Sequence, residues 1–324
     1  MEFNLNKRIV ASILKHIPEN EKPAVYLINI LNISRESIYR RLRGDIPFSI
    51  EELIKLASNL DFSIDTIYDF EKQNKAFFEF SIIGDNSSDF FVLMLKNNNE
   101  LLERIKNAKK AEAIMAFNFL PPPFFICFVN LFKFIYYKFL YHNNDSFRNI
   151  HYSETVLPDD AVILQGKMKE ELFAGDNVDL ILDMNIFLNL IKEIQYCYQR
   201  KLLTNEELLM LKEDTLLLIA QFENLVQTGM YGKTKIHLYL SSLCITSNTI
   251  YYNYDNIVEP LFWMFTLNPV IIKNVKIISL QLQWLHLLKR QSALITQSNE
   301  ILQTEFFFQQ RSYIEKYLSI DNAF

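Results

Sequence analysis

Residues 35–43, "RESIYRRLR", carry Arg35, Arg40, Arg41 and Arg43 against the single acid Glu36. Guanidinium groups are planar, permanently charged and built for two-point hydrogen bonding. A cluster of them therefore suits carboxylates, phosphates or the O6/N7 edge of guanine. Residues 1–70 as a whole balance nine Lys and Arg with ten Asp and Glu, and the net charge of the chain is −5. The positive charge is thus focused on one short stretch, and wholesale coating of a polyanion is not expected.

The elements that must hold this cluster are short helices. "NKRIVASILKHIP" places Ile9, Ile13 and Leu14 at helical spacing and closes at Pro18. In "KPAVYLINILNIS", Pro23 suits a first helical turn, and Leu27, Ile30 and Leu31 form one apolar face. Asn32 stands where that helix must end, and Asn tolerates the left-handed conformation. Ser34 is positioned to cap the next helix, Ile38 and Leu42 face inward, and Gly44 ends it. Ser49-Ile50-Glu51-Glu52 then reads as a capping box before the apolar face of Leu53, Leu56, Ala57 and Leu60, and Ser63 is placed to cap a fifth helix, "IDTIYDF". Two helices joined by a tight turn, the second with an exposed basic face, form an arrangement that can enter a major groove.

In this combination, Leu31-Asn32-Ile33-Ser34, Ser37-Ile38-Tyr39-Arg40, Gly44 and "IPFSIEELIKLASNLDFSIDTIY", residues 5–70 resemble the lambda-repressor-like, XRE-type helix-turn-helix family. The resemblance covers about a fifth of the chain. It implies that Ser34, Arg35, Glu36 and Arg40 approach base edges, with Ser37 in the same interface and Tyr39 and Arg43 nearer the backbone. Arg reads guanine in two-point fashion and Glu can accept from cytosine N4. Three positions depart from the family pattern: Ala24 replaces a Gln that often touches a phosphate, the bulky Ile28 replaces a small mid-helix residue, and Arg41 stands where many members have an apolar residue. The same arginines also fit a solvated, salt-bridged face with Glu36, Asp45, Glu51 or Glu52 as partners.

Beyond residue 70 the pattern changes. "KAFFEFSII" predicts a strand, residues 84–88 a loop, "SDFFVLMLKNNNELLERIKNAKKAEA" a helix and "AIMAFNFL" a returning strand, together a β-α-β unit. Long helices are expected over 178–201 and 205–228, the second opened by the capping box Thr204-Asn205-Glu206-Glu207. "KTKIHLYLSSLCITSNTIYYNYDN", residues 233–256, reads as a hairpin, and residues 277–318 as helical with a polar interruption. The fold class expected is mainly α, with a five-helix lambda-repressor-like helix-turn-helix domain over 1–70 and a larger helix-rich α+β domain over 71–324.

Several functions find little support. No Walker loop, GxGxxG, HExxH or GxSxG occurs. His16, His142, His151, His237 and His286 lack metal-ligand spacing, and Cys127, Cys197 and Cys244 are far apart with no CxxC. Hence no catalytic residue, cofactor or metal is expected. The apolar stretch around 115–143 is broken by three prolines, Asn118, Asn130, Lys133 and Lys138, so it reads as buried core rather than a membrane span. "FFICFVNLFKFIYYKF" and "FWMF" read as packed core, or as the lining of an apolar pocket with Trp284, Arg290, Ser292 or Glu300 as polar anchors.

The expectation is a cytoplasmic bacterial transcription regulator, not an enzyme, that binds double-stranded DNA as a homodimer and can take an unknown small-molecule effector. The alternatives are an enzyme in the C-terminal domain with the helix-turn-helix as a tether, or a scaffold whose Arg helix holds an acidic partner.

Overall fold

The computed structural model describes residues 5–18, 21–60, 62, 64, 78–79, 87–120, 122–169, 173–264, 268–272 and 274–320. The chain divides into two units, Met1–Phe77 and Phe78–Phe324.

The first unit contains α1 (Leu5–His16), α2 (Pro23–Leu31), α3 (Arg35–Leu42) and α4 (Ile50–Leu60). The expected fifth helix falls, except for Ile64, outside the described residues. Each helix buries one stripe into a shared core of Ile13, Leu27, Leu31, Ile38 and Leu56. Eight to twelve residues are too few for a helix to persist alone in water, so this common core holds all four. α2 packs on both α3 and α4, and α1 packs on α4.

The second unit is a nine-stranded mixed sheet, counted among the described residues. Its strands are β1 (Phe78–Glu79), β2 (Ala111–Phe117), β3 (Asn177–Asp183), β4 (Met230–Tyr231), β5 (Thr234–Ser241), β6 (Thr249–Tyr254), β7 (Ile257–Met264), β8 (Asn268–Ile272) and β9 (Ala293–Leu294). The order is β1-β8-β7-β6-β2-β3-β5-β4, with β9 on β5. The central strands β2, β3 and β5 run parallel, and every other pairing is antiparallel.

Parallel neighbours need long crossovers. That between β2 and β3 carries α6 (Val129–Asn143) and α7 (Asp159–Met168), and that between β3 and β5 carries α8 (Leu188–Gln199) and α9 (Asn205–Thr228). With α5 (Ser87–Asn107) and α11 (Glu300–Tyr317), these helices enclose the large core against Met115, Leu180 and Leu238 of the sheet. The opposite face, through Ala116 and Ile181, meets Leu285 and Leu288 of α10 (Val275–Gln291).

Several sequence expectations need correction. Residues 178–201 are not one helix: β3 occupies 177–183, and α8 begins only at Leu188. The run "VDLILD" is a central strand covered on both faces, so it lacks the alternation of a half-exposed one and merges with the helical pattern after it. Residues 233–256 supply two strands but no hairpin, because β3 and β2 lie between β5 and β6. The hairpin is β6–β7, turned by Asp255 and Asn256 at φ 45° and 68°. Likewise β1, α5 and β2 do not form a β-α-β unit of neighbouring strands, since β8, β7 and β6 separate the two. Residues 84–86 of the expected loop lie outside the described residues, and Ser87 already begins α5.

Other expectations agree with the fold. The Thr204–Glu207 capping box opens α9, through a Glu207 N–H to Thr204 hydroxyl bond of 3.2 Å and a Thr204 N–H to Glu207 carboxylate bond of 2.7 Å. The aromatic stretch around α6 is core: Phe132, Phe134, Tyr137 and Phe139 are all essentially inaccessible. No helix among the described residues is long and apolar enough to cross a membrane.

Candidate nucleic-acid interface

The turn before α3 is set by two residues. Asn32 ends α2 in the left-handed conformation, φ 54° and ψ 43°, and its N–H returns to the Ile28 carbonyl at 2.8 Å. Ser34 is extended, φ −62° and ψ 150°, and its hydroxyl accepts the Ser37 N–H at 3.3 Å. The capping oxygen keeps its own O–H free to donate to a further acceptor. Glu36 sits in the first turn and Arg40 and Arg41 in the last, the arrangement that suits the helix dipole. Gly44 then takes φ +82° with open space around it, a conformation that favours glycine.

The four arginines have four different environments. Arg41 grips Glu52 in a fork, Nε to Oε2 at 2.9 Å and Nη2 to Oε1 at 2.8 Å, with both side chains under one-fifth exposed. Its Nη1 also donates to the Ser37 carbonyl and hydroxyl. Because Glu52 is the acid of the capping box that opens α4 and accepts the Ser49 N–H at 2.9 Å, Arg41 ties the end of α3 to the start of the next helix. Arg43 meets Asp45 at 3.0 Å, a pair with both members about half exposed or more. Arg35 lies 5.6 Å from the Tyr39 ring centre and donates to its hydroxyl at 3.4 Å, which raises the guanidinium pKa further. Arg40 is exposed, and its side chain has no hydrogen bond or ion pair to another described residue.

Ser34, Arg35, Glu36, Tyr39, Arg40 and Arg43 are therefore together on the solvent side of one capped helix, while Ile38 is fully buried beneath them. Glu36, Arg40 and Arg43 follow one another at i, i+4 and i+7, with Arg35 and Tyr39 on the adjacent stripe. Ser37 stands apart from this group: half-buried, it faces Arg41 on the flank turned toward α4. Arg41 and Arg43 take two of the partners that the salt-bridged reading offers, Glu52 and Asp45; what that reading does not specify is that Arg41 braces the start of α4. The signal was its occupation of a normally apolar position with Ser37 one turn before it and a capping-box acid eleven residues on.

Elsewhere, Asp179 on β3 accepts from Lys289 through one oxygen and meets His237 Nδ1 at 3.2 Å through the other, so both oxygens of this carboxylate are engaged. Among the described residues no group of three or more His, Cys, Asp and Glu side chains is placed to hold a metal ion.

Comparison with known proteins gave a single kind of finding. No curated protein and no solved structure matches the chain. Residues 6–85 match the family model of the BetR domain, a helix-turn-helix type of DNA-binding domain. About the first quarter of the chain is thus similar to a DNA-binding domain family, and α2, its turn and α3 lie within that stretch.

Proposed function

We propose that the protein is a sequence-specific DNA-binding transcriptional regulator of the lambda-repressor-like, XRE-type class, acting in the bacterial cytoplasm as a homodimer. In this reading α3 enters the major groove. Arg40 and Arg35 donate to guanine, Glu36 and Ser34 contact neighbouring base edges, and Tyr39 and Arg43 hold the phosphates. Ser37 contributes as the N-terminal brace of the helix and as the anchor of Arg41. The unit from residue 78 onward carries no reaction; it pairs two chains so that two α3 helices meet successive major grooves.

The carrying observation is the division of labour among adjacent arginines. Arg41 is consumed by an internal fork, whereas Arg40, its chain neighbour, projects from the same rigid helix without a described partner. A purely salt-bridged face would have engaged both. Pairing is argued from geometry, since one helix covers only a few base pairs and two half-sites supply usable specificity.

Selection of bound fragments from random duplex DNA by the full chain tests the reading. An enriched motif with two half-sites about one helical turn apart is expected. Recovery of fragments with no enriched motif would reject sequence-specific regulation and leave the tether or scaffold roles.

A further inference from the structure

α6 and α8 belong to successive crossovers and share the large core; their facing stripes are bridged by Lys138 and Glu193 at 2.8 Å and by the Tyr141 and Tyr196 hydroxyls at 3.2 Å, and a cavity remains between them. From α6 come Phe134, Tyr137 and Tyr141, and from α8 come Glu193, Tyr196 and Cys197. Phe119 and Phe125, just after β2, line the same cavity of about 550 Å³. That size lies within the roughly 300–1,000 Å³ of small-molecule sites.

The polar groups in this aromatic enclosure are few and unequal. Lys138 pairs with Glu193 at 2.8 Å, but the lysine side chain is 14% exposed and the glutamate 42%, so the cation is the inner member. Lys192 also lines the cavity, with its ammonium 6.0 Å from the Tyr317 ring centre on α11, and Glu193 is the one carboxylate among the described lining residues. His142 adds little charge, because desolvation, and then Lys138, lower its pKa. The Cys197 thiol is pushed up to about 12 by burial and stays protonated. Among the described lining residues the walls are therefore largely aromatic and aliphatic, and the charged side chains sum to a positive charge.

We propose that this cavity binds a small aromatic acid, with its rings among Phe119, Phe134, Tyr137 and Tyr141 and its anionic group on Lys138 and Lys192. Glu193 turns outward to solvent as the ligand anion takes its place on the inner ammonium. That such an acid is the effector of a regulator rests on the function proposed above. Its binding does not.

The test is a fluorescence titration of the full chain, without DNA, with 8-anilinonaphthalene-1-sulfonate and with its uncharged counterpart N-phenyl-1-naphthylamine. One saturable site per chain is expected, with the sulfonate bound about tenfold tighter, the gain of one charge-assisted contact. Lys138→Met should erase that preference while retaining the neutral probe, and Lys192→Met, on an exposed position, should reduce it if the first variant fails to fold. Asn189→Trp, which puts a bulky ring at an exposed lining position at the start of α8 in place of a long 3.4 Å bond to the Asn118 carbonyl, should abolish binding of both probes while the chain still unfolds cooperatively. Undiminished binding by Asn189→Trp would overturn the site. Equal affinity for the two probes would overturn the acid. Because no DNA is present, loss of operator binding elsewhere leaves either outcome legible.

Discussion

In the second unit Lys138, Lys212, Lys289 and Arg311 each reach a carboxylate on a different element: Glu193, Glu315, Asp179 and Glu223 respectively. In α3 only Arg41 does so, while Arg35 leans on its own helix and Arg40 reaches no described residue. The first set fastens secondary structure together. The second is left facing solvent on a helix made rigid by its neighbours, which is how a protein keeps charge available for another molecule. The difference lies in where the cation points relative to the core, since all of these side chains are long and cationic.

That contrast can be broken at several points. Deleting residues 78–324 should lower affinity for a selected operator by about 100-fold or more through lost pairing, measured by fluorescence anisotropy; a truncated chain that binds as well as the whole would remove the pairing role. Arg41→Ala should cost about 1–3 kcal/mol of stability in the first unit, since it leaves the Glu52 carboxylate unpaired at the junction of two helices. Thermal unfolding checks this. Arg40→Ala should leave the melting curve within about 0.5 kcal/mol of the parent, yet relax preference at one or two base positions by about 1–3 kcal/mol. If Arg40→Ala instead weakened binding equally at all bases, α3 would be a phosphate contact and not a reader.

Arg43→Ala should weaken binding evenly across sequences and reduce the salt slope by about one, since its exposed pair with Asp45 exchanges readily for a phosphate. The smallest effect concerns pH. The folded His142 imidazole holds its proton less well than the unfolded one, so its stabilisation is complete above about pH 6.5 and declines as pH falls through that value. His142→Gln should flatten this decline in melting temperature between neutral and mildly acidic pH.

The helices around α3 were legible because their determinants are local. Asn32, Ser34, Gly44 and the Ser49–Glu52 box act within a few residues of themselves, and the conformations they imply are those found. The same holds for Thr204 at the start of α9. The sheet was less legible because its order is set by pairings far apart in the chain. "VDLILD" looks helical until Ala113 to Phe117 on one side and Ile236 to Leu240 on the other enclose it. The cavity was hidden for a similar reason: its two stripes are about fifty-five residues apart and meet only because β2 and β3 are neighbours. Trp284, Arg290, Ser292 and Glu300, the polar anchors the sequence suggested for a pocket, do not line it.

The parallel trio at the centre of the sheet also orders events in time. β2 cannot gain both its partners until β3 and β6 have been synthesised, more than a hundred residues after α3 is complete. Domains close to the N-terminus fold first as the chain emerges, and those with short-range contacts fold fastest. Each newborn chain therefore passes through an interval in which the helices of the first unit can already close their core while the sheet of the second is still incomplete.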